Sequence, residues 1–153
     1  MEQTNDIKVF IIDPDTGNPV DPATWVKTFA DTKVAEEVLI QRPDGSSFLL
    51  SKHALGNDMK FNEAVEAAKQ KGGTLGTRRQ WLDIYDAIYG PGELNETLKL
   101  IGGDEIECQW CWTSETVQSS SNFAWIFLGT GGYLSNGARI IAYAARLFRA
   151  SDI

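Results

Sequence analysis

Apolar positions recur along the chain in two periods, and the change of period marks its organisation. Residues 7–12 (IKVFII) are β-branched and aromatic and predict a strand, followed by the turn formers of 13–19 (DPDTGNP). Residues 25–29 predict a short strand or a single turn. Residues 37–41 and 47–51 predict two strands joined by Arg42-Pro43-Asp44-Gly45-Ser46, whose Asp-Gly step signals a hairpin. The period then becomes helical. Phe61, Ala64, Val65 and Ala68 predict a helix over 61–71 that stops at Gly72-Gly73. Thr77-Arg-Arg-Gln80 spells a capping box, with Trp81, Leu82, Tyr85 and Ile88 as the buried face of a second helix. Leu94, Leu98 and Ile101 predict a short third helix. From Gln109 onward, apolar stretches at 109–113, 123–128, 133–135 and 138–148 alternate with Ser, Gly and Asn and predict strands.

Strands, then two or three helices, then strands predict an α+β domain whose terminal strands share one sheet. A length of 153 residues fits one such core. Residues 1–34 are expected as an N-terminal strand or attachment extension and 35–153 as the main domain. No apolar run approaches the roughly 20 residues of a membrane span. The polar, acidic start lacks the features of a secretory signal, so the expectation is a chain made in the cytoplasm and without membrane insertion.

Charge changes this picture in one respect. The chain carries 14 Lys and Arg against 21 Asp and Glu, a net −7 that argues against a nucleic-acid role. The total is uneven: residues 119–153 are +2 and residues 1–118 are −9. The later segment contains no Lys, Glu, Gln or Met, although residues 1–118 hold 8 Lys, 10 Glu, 6 Gln and 2 Met.

Catalytic and metal chemistry find little support. Cys108 and Cys111 have C-x-x-C spacing but no second pair to complete a zinc site, and are expected as two reduced, packed thiols. His53 is the only histidine and no G-x-S-x-G elbow accompanies it. The glycine pairs form no phosphate loop. Asp13-x-Asp15 hints at a calcium loop, yet Thr24 stands where its twelfth-position acid belongs, so a solvated turn is expected. Neither cofactor nor metal is expected. Arg146 interrupts the apolar run Ala144-Ala-Arg-Leu-Phe148 and must either be paired, with Glu115 as candidate, or point to solvent.

Taken together, Met59-Lys-Phe-Asn-Glu-Ala-Val-Glu-Ala-Ala, Gly72-Gly-Thr-Leu-Gly-Thr-Arg-Arg-Gln-Trp81, Trp110-Cys-Trp-Thr-Ser-Glu115, Ala124-Trp125, Gly132 and Arg146-Leu-Phe-Arg149 resemble the ordered motifs of C-type-lectin-like domains of the formylglycine-generating-enzyme and sulfatase-modifying type. Gly76 replaces the usual proline and Gln80 the usual Glu. The resemblance covers roughly residues 35–150. Within that superfamily the chain is most similar to the variable proteins of diversity-generating retroelements. In that family, copying with random changes at adenines leaves codons that do not encode Lys, Glu, Gln, Met or Trp, as the vacancy after residue 118 would require.

The resemblance implies a non-enzymatic ligand-binding protein with a diversified C-terminal surface, displayed on a phage particle or bacterial surface. Its variable positions would include Phe123, Ile126, Leu128, Thr130, Tyr133, Ser135, Asn136, Gly137, Ala138, Ile140, Ile141 and Tyr143. Its framework would be Trp81, Trp112, Glu115, Trp125, Gly132 and Arg146, with Arg139 at a position that is usually Lys-like. The implied partner is a protein or surface-glycan receptor, and self-association or attachment to a fibre is compatible with it. The alternatives are a structural virion or pilus-type subunit with the same fold and no diversified site, and a formylglycine-generating-type oxidase. The oxidase would need a copper-binding cysteine pair nearer the C-terminal part, where none stands.

Overall fold

The computed structural model describes residues 6–107 and 110–152. The first strand, β1 (Lys8–Ile12), pairs with the two-residue β2 (Pro19–Val20) across the Asp-rich turn. Helix α1 (Pro22–Thr28) follows, where a strand or single turn was expected from the apolar run. The local reason is capping: Asp21 Oδ1 accepts the Thr24 N–H at 3.1 Å, and Pro22 occupies a first-turn position where its missing N–H costs nothing.

Strand β3 (Glu37–Gln41) forms the expected hairpin with β4 (Ser47–Met59). β4 runs eight residues beyond the expected strand end and carries register shifts after Leu50. Helix α2 (Phe61–Gln70) buries Phe61, Ala64 and Ala68, while Val65 is exposed. Helix α3 (Arg78–Tyr89) starts with the predicted capping box: Thr77 Oγ1 accepts the Gln80 N–H at 3.1 Å and Gln80 Oε1 accepts the Thr77 N–H at 2.8 Å. Its buried face is Trp81, Ile84 and Ala87, with Leu82 exposed, a rotation from the face expected from sequence. Helix α4 (Leu94–Leu100) completes the helical set. Strands β5 (Cys111–Thr116), β6 (Phe123–Leu128), β7 (Tyr133–Ala138) and β8 (Tyr143–Ala150) end it.

All eight strands lie in one sheet, in the order β2-β1-β3-β4-β8-β5-β6-β7. The fold is thus α+β, with four helices among the described residues. Strand β8 inserts between β4, which it pairs antiparallel, and β5, which it touches in parallel through Cys111 and Ala144. Alternation along the strands feeds two cores. On one face Trp25, Trp81, Phe127 and Phe148 pack with α1, α3 and α4. On the other, Trp112, Ala124, Ile126, Ala145 and Leu147 pack against Phe61, Ala64 and Ala68 of α2. Each fully buried aromatic contributes about 2–3 kcal/mol of transfer free energy. Ile7, Val9, Ile11 and Trp25 share the first core with Trp81 and Phe148, so no packing boundary falls at residues 34–35. Among the described residues, no helix is long and apolar enough to cross a membrane.

Candidate functional site

The outer end of the sheet is the β6–β7 hairpin followed by the loop 139–142. The hairpin turn is fixed by Gly132, at φ +73°, where a side chain would be strained and would also press on the Tyr85 ring at 3.1 Å. The register that follows pairs Leu128 with Tyr133, Ile126 with Ser135, Trp125 with Asn136 and Phe123 with Ala138.

Paired residues share a face, so the expected variable positions divide in two. Leu128, Tyr133 and Ser135 lie on the face covered by α2; Phe123, Asn136 and Ala138 lie on the face of Trp125, towards α3. Tyr133 is 68% exposed, and Ser135, Asn136, Thr130 and Phe123 are exposed too. Leu128 and Ala138 are half-buried. In the next loop Ile140 is 78% and Ile141 47% exposed. The loop is pinned at its start. The Arg139 N–H donates to Asn122 O at 2.9 Å, Arg139 O accepts from Phe61 N–H, and the guanidinium lies 5.0 Å from the centre of the Phe61 ring.

Two positions expected to vary, Ile126 and Gly137, are buried, and a third, Tyr143, is half-buried against the core. Ile126 is 3% exposed, paired with Trp112 across the sheet and buried in the core that Trp112 shares with Phe61 of α2. Gly137 is buried, and an added Cβ would stand 2.8 Å from Ile126 Cγ2 and 2.9 Å from Tyr143 Cε2. Tyr143 is half-buried, its ring set edge-on to Trp112 at 5.0 Å.

Among the framework residues, the one expected pairing, Glu115 with Arg146, is replaced by other partners. Trp81 stacks on Phe127 at 5.4 Å and meets the edge of Phe148 at 5.2 Å. Trp112 donates its indole N–H to Met59 O at 2.7 Å. Glu115 does not pair with Arg146. Its Oε2 accepts the backbone N–H of Arg78 at 3.1 Å and the Nε–H of the same residue, and the Arg78 guanidinium lies 4.4 Å from the centre of the Trp125 ring. Arg78 is therefore the hub joining Glu115 to Trp125. Its position inside the capping box gave no signal of that role.

Arg146 neither points to solvent nor meets a carboxylate. It is 4% exposed and faces carbonyls: Nε–H donates to Ser51 O at 3.0 Å, and Nη2 donates to Lys52 O and, at 2.8 Å, to Asp104 O. The pairing of β4 with β8 jumps from Leu50–Phe148 to Ala54–Arg146 at this point. The guanidinium thus serves Ser51 O at the interruption of the ladder and adds a second donor to Lys52 O, which also accepts the Asp104 N–H at 2.7 Å. Burial lowers its pKa from the usual value to about 10, with Asp104 as the opposing attraction, so it stays charged at neutral pH.

The remaining candidates are Asp13, His53 and Cys111. Asp13 is buried rather than solvated. Lys33 Nζ lies 2.9 Å from Asp13 and 3.1 Å from Asp15, so an ammonium stands where a calcium loop would place its ion. His53 is exposed, 3.3 Å from Asp104. Cys111 is disulfide-bonded, which corrects the expectation of free thiols; Cys108 lies outside the described residues. Among the described residues, no group of three or more His, Cys, Asp or Glu is placed to hold a metal ion. Neither a family model nor a curated protein matches the chain.

Proposed function

We propose that the chain is a non-enzymatic ligand-binding protein with a C-type-lectin-like fold, similar to the variable proteins of diversity-generating retroelements. It would meet a protein or surface-glycan receptor through the β6–β7 turn and the loop 139–142, on a phage particle or bacterial surface. The observation that carries this reading is the exposure of Tyr133, Ile140 and Ile141 at the end of the sheet, inside the segment free of Lys, Glu, Gln and Met. Large apolar side chains at the surface cost solubility and serve as anchors when a partner covers them. Thr130, Ser135 and Asn136 beside them add small, adaptable polar contacts, as in antibody paratopes. The surface rests on a covered sheet, which lets side chains there change without loss of the core.

Two measurements test the proposal. The DNA flanking the coding region should hold a reverse transcriptase and a near-copy of the 119–153 coding stretch differing at adenines; without them the diversification reading fails. Tyr133, Ile140 and Ile141 changed together to Ala should leave the far-UV spectrum and melting temperature near wild type while abolishing adsorption of the parent particle or cell to its host. Unfolding of that variant would make these residues core and leave the structural-subunit alternative.

A further inference from the structure

Two residues on the α3 side of the sheet bring donors without an acceptor to the same small cavity. The first is Trp81, 1% exposed, whose buried Nε1–H has no hydrogen-bond partner among the described residues. The second is Arg146, whose Nε and Nη2 bond to carbonyls while Nη1 has no partner among the described residues. Both residues line a cavity of about 40 Å³. That volume holds about three waters or one carboxylate. An orphaned buried N–H costs about 1–3 kcal/mol, and a buried guanidinium attracts an anion more strongly than water. The floor of this cavity is therefore built for acceptor oxygens.

The cavity adjoins a cleft of about 850 Å³, with which it shares Ala54, Asn57, Glu105, Glu107 and Ala144. The cleft has the opposite polarity. Asp104, Glu105 and Glu107 line it against Lys99, which is already 3.5 Å from Glu105. Half-buried Trp110 and Tyr143 form aromatic parts of its wall. A simple carboxylate would have to pass this acidic rim, and a simple amine would leave the donors at the floor unmet. A ligand carrying both charges answers both ends.

We propose that the cleft and its cavity form a binding site for a zwitterionic α-amino acid. Its carboxylate would accept from Arg146 Nη1 and Trp81 Nε1, its ammonium would face Glu105 and Glu107, and its side chain would extend towards Trp110 and Tyr143. The cleft adjoins the loop 139–142 through Ala142 but is not lined by the exposed Tyr133, Ile140 or Ile141.

The test uses the full chain labelled with ¹⁵N and three probes of one shape: L-leucine, 4-methylpentanoate, which lacks its ammonium, and 3-methylbutylamine, which lacks its carboxylate. A Trp81→Phe variant assigns the indole resonance. Leucine should move the Trp81 Nε1–H resonance saturably downfield, and each single-charge probe should bind about tenfold or more weakly, the loss of one charge-assisted contact. Glu107→Gln, at an exposed position, should weaken leucine about threefold or more with an unchanged melting temperature. A Trp81 resonance that leucine leaves in place would mean a cavity filled only by water, and would overturn the proposal. Equal binding of the three probes would reduce the site to an apolar slot; binding of one single-charge probe as tightly as leucine would reduce it to a plain cation or anion site. Tyr133→Ala should leave leucine binding intact, so failure here and failure of the receptor reading are told apart.

Discussion

The carboxylate of Glu115 takes both the backbone N–H and the guanidinium Nε–H of Arg78, so one side chain of β5 caps α3 and fixes the cation that lies over Trp125. Three elements are tied at that point: the helix start, β5 and β6. Both side chains are partly exposed, which limits the strength of the ion pair. Glu115→Ala should lower stability by about 1–2 kcal/mol, chiefly through the lost cap. Arg78→Ala should cost a similar amount. In a double-mutant cycle by urea denaturation the two losses should overlap by about 0.5–1 kcal/mol, and full additivity would show that the pair is not coupled.

Arg146→Met should be far more damaging. It would take the guanidinium from the carbonyls of Ser51 and Asp104, while the Lys52 carbonyl would keep only the Asp104 N–H at 2.7 Å. The expected loss is about 3 kcal/mol or more, from unsatisfied buried acceptors. Equilibrium unfolding of the variant measures it, and a loss below about 1 kcal/mol would show that water replaces the arginine there without difficulty.

Gly137→Ala asks whether that position can vary. The added methyl would stand within 3 Å of Ile126 and Tyr143, so at least one ring or chain must shift. Overpacking of this kind should cost about 1–3 kcal/mol. Asn136→Ala, next along the strand and exposed, should cost less than about 0.5 kcal/mol. Similar melting temperatures for the two variants would contradict the packing described.

Asp13 should contribute to acid sensitivity, with Asp21, Asp44 and Asp104, whose carboxyls are also held below the ordinary range. The hydrogen bond from Lys33 holds the Asp13 carboxyl below the ordinary carboxylate range, with the N–H of Asp15 adding to the effect. A depressed folded-state pKa gives stability that is present above the unfolded value and lost as pH falls through the folded one. Lys33→Met should therefore lower the urea midpoint at pH 7, and its difference from wild type should shrink as pH falls below about 4. A difference that stays constant down to pH 3 would assign the effect to the lysine's packing on Phe29 instead.

Local signals read well from sequence because their causes are local. The Thr77–Gln80 box, the hairpin at Asp44-Gly45 and the starts of α2 and β6 depend on residues within a few positions of one another. Helix α1 was legible in principle from Asp21-Pro22, but its apolar run is too short to show a helical period. The site was harder to read. Arg146 bonds to backbone carbonyls 94 and 95 positions away, and carbonyls have no residue-type signature. Ile126 and Tyr133 look alike in a list of apolar residues. One is core and one is surface because Ile126 of β6 packs in the cluster of Trp112 and Phe61, whereas Tyr133 begins the edge strand β7. That distinction needs the sheet order, which alternation within a strand does not contain.

The placement of β8 in the middle of the sheet has a consequence for synthesis. A nascent chain that ends before Tyr143 has β4 and β5 made but no strand between them, so each presents an open hydrogen-bonding edge. Phe148 and Leu147 are missing from the two cores, and Arg146 is missing from the carbonyls of the β4 irregularity. The sheet can therefore close only after the hairpin and the 139–142 loop have been translated. Any sequence carried by that stretch passes through a state with unpaired edges before it is tested as a surface. Substitutions in the loop that favour pairing with those edges would promote aggregation during translation, before the finished sheet can hide them.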